Sequence, residues 1–169
     1  MIIRLSELYA KQAILNKRIK NEHNLFDDDL FLDQVLALLV EIGEASNSSR
    51  HFKYWSTNQK PKEDLREEFV DVLHFGLSLG LEIGYHLGLV KAHIGSDLTT
   101  HTLLLAERVI QLAQARDPKI PKSLLIERYE NMMQYLLGLG IMYGFSEEEI
   151  IEGYKEKFAE NMSRQATGY

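Results

Sequence analysis

The sequence predicts an all-α protein, a helical bundle with a four-helix core. Apolar residues recur at helical spacing in one segment after another, without sustained period-2 alternation or a hairpin dipeptide. The three prolines, Pro61, Pro118 and Pro121, all fall in expected connections. With 169 residues, 45% of them hydrophobic, the chain can bury a sizeable core, so a single domain over residues 1–169 is expected.

The first helix is expected from about Leu5 to Ile19, with Leu5, Leu8, Tyr9, Leu15 and Ile19 as its apolar stripe. The second, LFLDQVLALLVEIGEAS, is apolar on nearly every face and is therefore expected to be central. NSSRHFKYWSTNQK reads as a loop, and Pro61 suits the first turn of the next helix. That third helix, EDLREEFVDVLHFGLSLGLEIG, carries a glycine stripe that continues to Gly88. Gly76, Gly80, Gly84 and Gly88 permit close contact with a partner helix, and Gly84 or Gly88 can end this one. TTHTLLLAERVIQLAQAR, PKSLLIERYENMMQYLLGLGIMYG and SEEEIIEGYKEKFAENMSRQATGY complete the set. Ser146 and Glu149 form a capping box at the start of the last.

Composition narrows the function. A net charge of -6 disfavours binding to nucleic acid through bulk electrostatics. The absence of cysteine removes disulfides, thiolate zinc sites and cysteine nucleophiles, and fits a reducing compartment. MIIRLSELYAKQ lacks the apolar core of a signal peptide, and VLHFGLSLGL is stopped by Glu82 before it could span a bilayer. A cytoplasmic protein with no membrane or nucleic-acid partner is expected.

Two acidic pairs carry the chemistry. Glu41/Glu44 and Glu68/Asp71 are each spaced i, i+3, so each pair shares one helix face. Most such pairs are solvated surface charge. Here the first pair closes an apolar helix, and Glu68 shares a face with Leu65 and Asp71 while Glu67 falls further round toward solvent. Two antiparallel helices would bring the pairs opposite each other. Four converging carboxylates repel and lose hydration unless a cation joins them. An all-oxygen donor set favours a hard ion, Mg2+ or Mn2+.

This ExxE and ExxD pattern across a helix–loop–helix resembles the all-α nucleoside triphosphate pyrophosphatase superfamily, which includes MazG-type enzymes. Three further features are similar to the dimeric, all-α dUTPases. They are RHFKYWS between the pairs, EEFVDVLHFGLSLGLE around the second pair, and the C-terminal spacing Tyr154, Lys157, Asn161, Arg164, Gln165, Gly168, Tyr169. The similarity runs from about Leu8 to Tyr169 and is weakest between His86 and Ile150.

The resemblance implies hydrolysis of dUTP, and of dUDP, to dUMP by a homodimer. It implies Mg2+ held by Glu41, Glu44, Glu68 and Asp71, with Glu41 or Glu44 accepting a proton from water. It assigns Lys53, Lys157, Asn161, Arg164 and Tyr169 to the phosphates. Gln12, Asn16, Trp55 and His74 go to the nucleoside pocket, and Asn47 and Arg50 fit the loop. Ordinary roles stand beside these: surface cations for Lys53 and Arg164, a core-packed loop anchor for Trp55, exposed amides for Gln12 and Asn16, a satisfied core histidine for His74. A role for the terminal Tyr169 implies a tail that orders over bound nucleotide.

Three rival readings compete with this one. A di-iron bundle needs Glu-x-x-His from two helices, and only Asp71-x-x-His74 comes close. A non-catalytic nucleotide sensor conflicts with intact acidic pairs. A pyrophosphatase of other base preference is disfavoured by Trp55 and the LHF segment.

Overall fold

A computed structural model describes residues 1–167. Its element order is β1 (Ile2–Arg4), α1 (Ser6–Glu22), α2 (Phe31–Ser49), α3 (Leu65–Glu82), β2 (Leu89–Lys91), α4 (Leu98–Gln114), α5 (Lys122–Met142) and α6 (Glu147–Thr167). Helices α2, α3, α5 and α4 pack in a closed cycle, each against the next, and form the four-helix core. Helices α1 and α6 pack on each other and on α3, so α3 is the hub of the molecule. Its buried residues run from Leu65 through Gly80 on most faces.

The centrality expected of α2 belongs to α3. One face of α2, Leu32, Leu36 and Val40, stands exposed, as do Leu103 and Ile110 of the neighbouring α4. Apolar character alone does not say what covers a helix; here the fourth side of α2 has no covering element among the described residues. Helix α2 also runs three residues beyond the expected Ser46. Ser46 and Ser49 donate their hydroxyls back to the carbonyls of Ile42 and Ser46, at 2.7 and 2.9 Å, so polar side chains are satisfied without leaving the helix. Arg50 then ends it in the left-handed region, at φ 62°, its N–H donating to the Ser46 carbonyl.

Helix α3 starts at Leu65, so Pro61 lies in the preceding connection rather than in a first turn. The partner of its glycine stripe is α5 of the same chain. A Cβ at Gly80 would collide with the Tyr129 hydroxyl and the Tyr85 carbonyl. That proximity lets the Tyr129 hydroxyl donate to the Gly76 carbonyl at 3.0 Å. Gly84, at φ +68°, follows the helix end. The capping box forms: the Ser146 N–H donates to Glu149 Oε2 at 2.8 Å, and the Glu149 N–H donates to Ser146 Oγ at 3.2 Å.

The sequence predicts no strands, yet β1 and β2 pair antiparallel with Ile3 opposite Val90. Three residues are too few to display alternation, and the pairing joins segments far apart in sequence. Leu5 N–H to the Gly88 carbonyl and Ala92 N–H to the Met1 carbonyl extend the ladder. The ribbon ties the start of α1 to the segment that follows α3.

Candidate active site

Helices α2 and α3 bring three of the four carboxylates together. One oxygen each from Glu41, Glu44 and Glu68 lies within 4.8 Å of the others; Glu44 is exposed and the other two are partly buried. Burial, then the charges of Asp71, Glu44 and Glu68, pushes Glu41 up to about 7. Burial, then Glu44, also raises Glu68. A hard cation fits such a group: the donors are all oxygen, close enough to share one ion, and their mutual repulsion disappears on binding.

Asp71 stands apart from that trio. Its Oδ2 lies 2.8 Å from the Nζ of Lys157 on α6. Burial raises its carboxyl despite the ammonium beside it. Lys157 Nζ also donates to Glu67 Oε1 at 2.8 Å. Glu67 is thus exposed, as the register indicated, but it is also ion-paired.

Beside the acids lies a cavity of about 390 Å³. Its lining includes Gln12, Asn16, Glu41, Asp71, His74, Lys157, Asn161 and Arg164, all singled out in the sequence. Gln12 and Asn16 sit one turn apart on α1; Lys157, Asn161 and Arg164 follow one face of α6. The amides are wired together. Gln12 Nε2 donates to Asn16 Oδ1, and Asn16 Nδ2 donates to Ser78 Oγ, both at 2.8 Å. Ser78 Oγ donates to Gln34 Oε1 at 3.0 Å.

Gln12 Oε1 accepts from the Tyr154 hydroxyl and faces His74 Nδ1, both at 2.8 Å. An amide oxygen cannot donate, so His74 carries its proton on Nδ1. Its Nε2 is buried without a protein partner. Burial, then the charge of Lys157, lowers His74 to about 3, which keeps the ring neutral. Tyr154 stacks on that ring at 4.2 Å between centroids. His74 is thus buried as a core histidine would be, with one nitrogen unsatisfied.

The loop after α2 is separate from this lining. Trp55 is 63% exposed and packs edge-on against Phe52 and Tyr54, so it is not a core anchor. Lys53 bonds Asn47. Arg50 grips the loop through Nε to the Asn58 carbonyl and Nη2 to Ser56 Oγ, both at 2.9 Å. Arg164 pairs with Glu160 at 2.5 Å. Gly168 and Tyr169 lie outside the described residues.

Gln34, Ser78, Phe75 and the Lys20–Glu82 ion pair also build the cavity wall or its edge and were not picked out. The available signal is the polar interruption: Ser78 alone, and Gln34 together with Asp33, break apolar helical runs. No helix among the described residues is long and apolar enough to cross a membrane.

No curated protein matches the chain. A family model described as dUTPase matches residues 4–169, which is nearly the whole sequence. With six helices among the described residues, an acidic trio and an adjoining polar cavity, the chain belongs to the all-α dUTPase family and is a dUTP-hydrolysing enzyme.

Proposed function

We propose that the protein hydrolyses dUTP to dUMP and pyrophosphate, and dUDP to dUMP and phosphate, with Mg2+ or Mn2+ as cofactor. The observation that carries this reading is that Glu41 belongs both to the acidic trio and to the cavity lining. A nucleotide in the cavity would therefore present its phosphates to the carboxylates.

Glu41, Glu44 and Glu68 would hold the cation, with Asp71 as a fourth ligand. When bound, the ion neutralises the cluster, polarises phosphorus and acidifies a water. Lys157, Asn161 and Arg164 would take phosphate oxygens, joined by Lys53 and Tyr169 from the loop and tail. One of Glu41 and Glu44 would accept the proton of the attacking water. The orphaned Nε2 of neutral His74 suits the N3–H of uracil. The unused N–H groups of Gln12 and Asn16 suit its carbonyls, with Trp55 closing over the nucleoside. Cytosine presents a donor where uracil accepts and would leave buried groups unpaired.

The test is a panel of deoxy- and ribonucleotides with Mg2+, read for nucleoside monophosphate and pyrophosphate separately. Selective conversion of dUTP is expected; equal turnover of dCTP, or none of dUTP, overturns the reading.

We also place the enzyme in the cytoplasm as a homodimer. The exposed Leu32, Leu36 and Val40 stripe on α2, beside Leu103 and Ile110, supports self-association. Light scattering at micromolar concentration should give twice the chain mass; a monomer refutes it.

A further inference from the structure

We propose that Lys157 is a resident counter-cation of Asp71, withholding the fourth carboxylate from the metal until nucleotide phosphates take over the ammonium. This rests on the reading above that the acidic residues bind a divalent cation.

Lys157 differs from a surface lysine in three ways. Its side chain is only 8% exposed. Its Nζ lies 2.8 Å from Asp71 Oδ2 and from Glu67 Oε1, and 3.9 Å from Glu160 Oε2. It also lines two cavities, the 390 Å³ one and a second of about 270 Å³ between α3 and α6.

Without Asp71 the buried ammonium would keep only Glu67 and Glu160, whose carboxylates are much more exposed, so giving up its less exposed partner is costly unless another anion enters. The acidic trio can share a cation without Asp71, because its oxygens already lie within 4.8 Å of one another. Asp71 is the member of the two sequence pairs that Lys157 holds in a direct ion pair. A phosphate oxygen in the larger cavity would offer Lys157 a replacement partner and free Asp71. Metal uptake by the full ligand set and nucleotide binding are then coupled through a single side chain.

The test is Mn2+ titration of the nucleotide-free, full-length protein, by calorimetry and by the paramagnetic signal of free Mn2+. Lys157→Met should bind Mn2+ about tenfold more tightly, and Asp71→Asn alone should change affinity less than about twofold. Asp71→Asn placed on Lys157→Met should cancel the gain, whereas Lys157→Arg should behave as the wild type. With α,β-imido-dUTP present, Asp71→Asn alone should weaken Mn2+ about tenfold. A merely structural ion pair predicts none of this dependence on background. Equal weakening by Asp71→Asn with and without Lys157, or no gain in Lys157→Met, overturns the proposal. If Lys157→Met does not fold, Lys157→Gln serves the same cycle. Mn2+ binding that needs Glu44 but shows no coupling defeats this inference alone; absence of Mn2+ binding in the wild type defeats the metal reading itself.

Discussion

The two ends of the active-site cavity solve opposite problems. At the amide end, Gln12, Asn16, Ser78 and Gln34 hand hydrogen bonds from one to the next, and Tyr154 and His74 converge on Gln12 Oε1. That end is built before any ligand arrives. At the acidic end, Glu41, Glu44 and Glu68 crowd together, and burial, followed by the neighbouring negative charges, raises Glu41 and Glu68. That end is completed by something brought to it. In the proposed function, recognition would rest on finished bonds and reactivity on a buried, crowded acidic group. Removing a residue should therefore cost stability at the first end and activity at the second.

The strongest way to break the comparison is Glu44→Gln. Activity should fall about 10²–10³-fold while helicity is retained and metal-free stability is unchanged or higher, since a repelling charge is gone. Full turnover in that variant, measured by pyrophosphate release, would remove Glu44 from the metal site. Next comes Gln12→Ala, which strands His74 Nδ1 in the interior and leaves the Tyr154 hydroxyl only its longer bond to the Leu8 carbonyl. Urea unfolding should show a loss of about 2–3 kcal/mol, with the KM for dUTP raised; a stability change near zero would mean the network is not cooperative.

The pH response separates the two ends by sign. His74 sits at about 3 in the fold against an ordinary 6.5, so its neutral form is the folded one. Its contribution is complete above about 6.5 and is lost as pH falls toward 3. Glu41 sits at about 7 against an ordinary 4.5, so its protonated form is favoured in the metal-free fold. Its contribution is complete below about 4.5 and is lost as pH rises through 7. Urea midpoints in EDTA between pH 4.5 and 7 should show His74→Asn weakening acid sensitivity and Glu41→Gln weakening the opposite trend. Identical slopes in both variants would contradict the assignment. The smallest stability effect is expected from Trp55→Ala, within about 0.5 kcal/mol for so exposed a side chain, accompanied by weaker dUTP binding in an equilibrium titration. A collapse of thermal stability there would restore the anchor role.

Much of this was legible because helical periodicity is a local property. The acidic pairs follow from i, i+3 spacing; Gln12 and Asn16 follow from the family resemblance, and their spacing of one turn adds only that they share a face of α1. Contacts across the chain were not legible. Asp71 reads as a partner of Glu68 in sequence, but its nearest charge is Lys157, supplied by a helix that packs back onto α3. Gln34 and Ser78 acquire meaning only when α1, α2 and α3 meet. The outward stripe of α2 looks in sequence like core, because apolar residues carry no mark of the surface that will cover them. The β1–β2 ribbon is set by closure of the chain, not by any preference of its three-residue strands.

Gln12 and Tyr154, whose side chains share a hydrogen bond, lie 142 positions apart. The Gln12 side of the hydrogen-bond network on α1 is thus completed only once α6 has been made. A nascent chain halted before α6 leaves the ribosome would have the acids of α2 and α3 but would lack Lys157, Asn161 and Arg164 from the cavity lining. Truncated products should then be inert toward the cellular triphosphate pool, a safeguard that follows from the order in which the polypeptide is made.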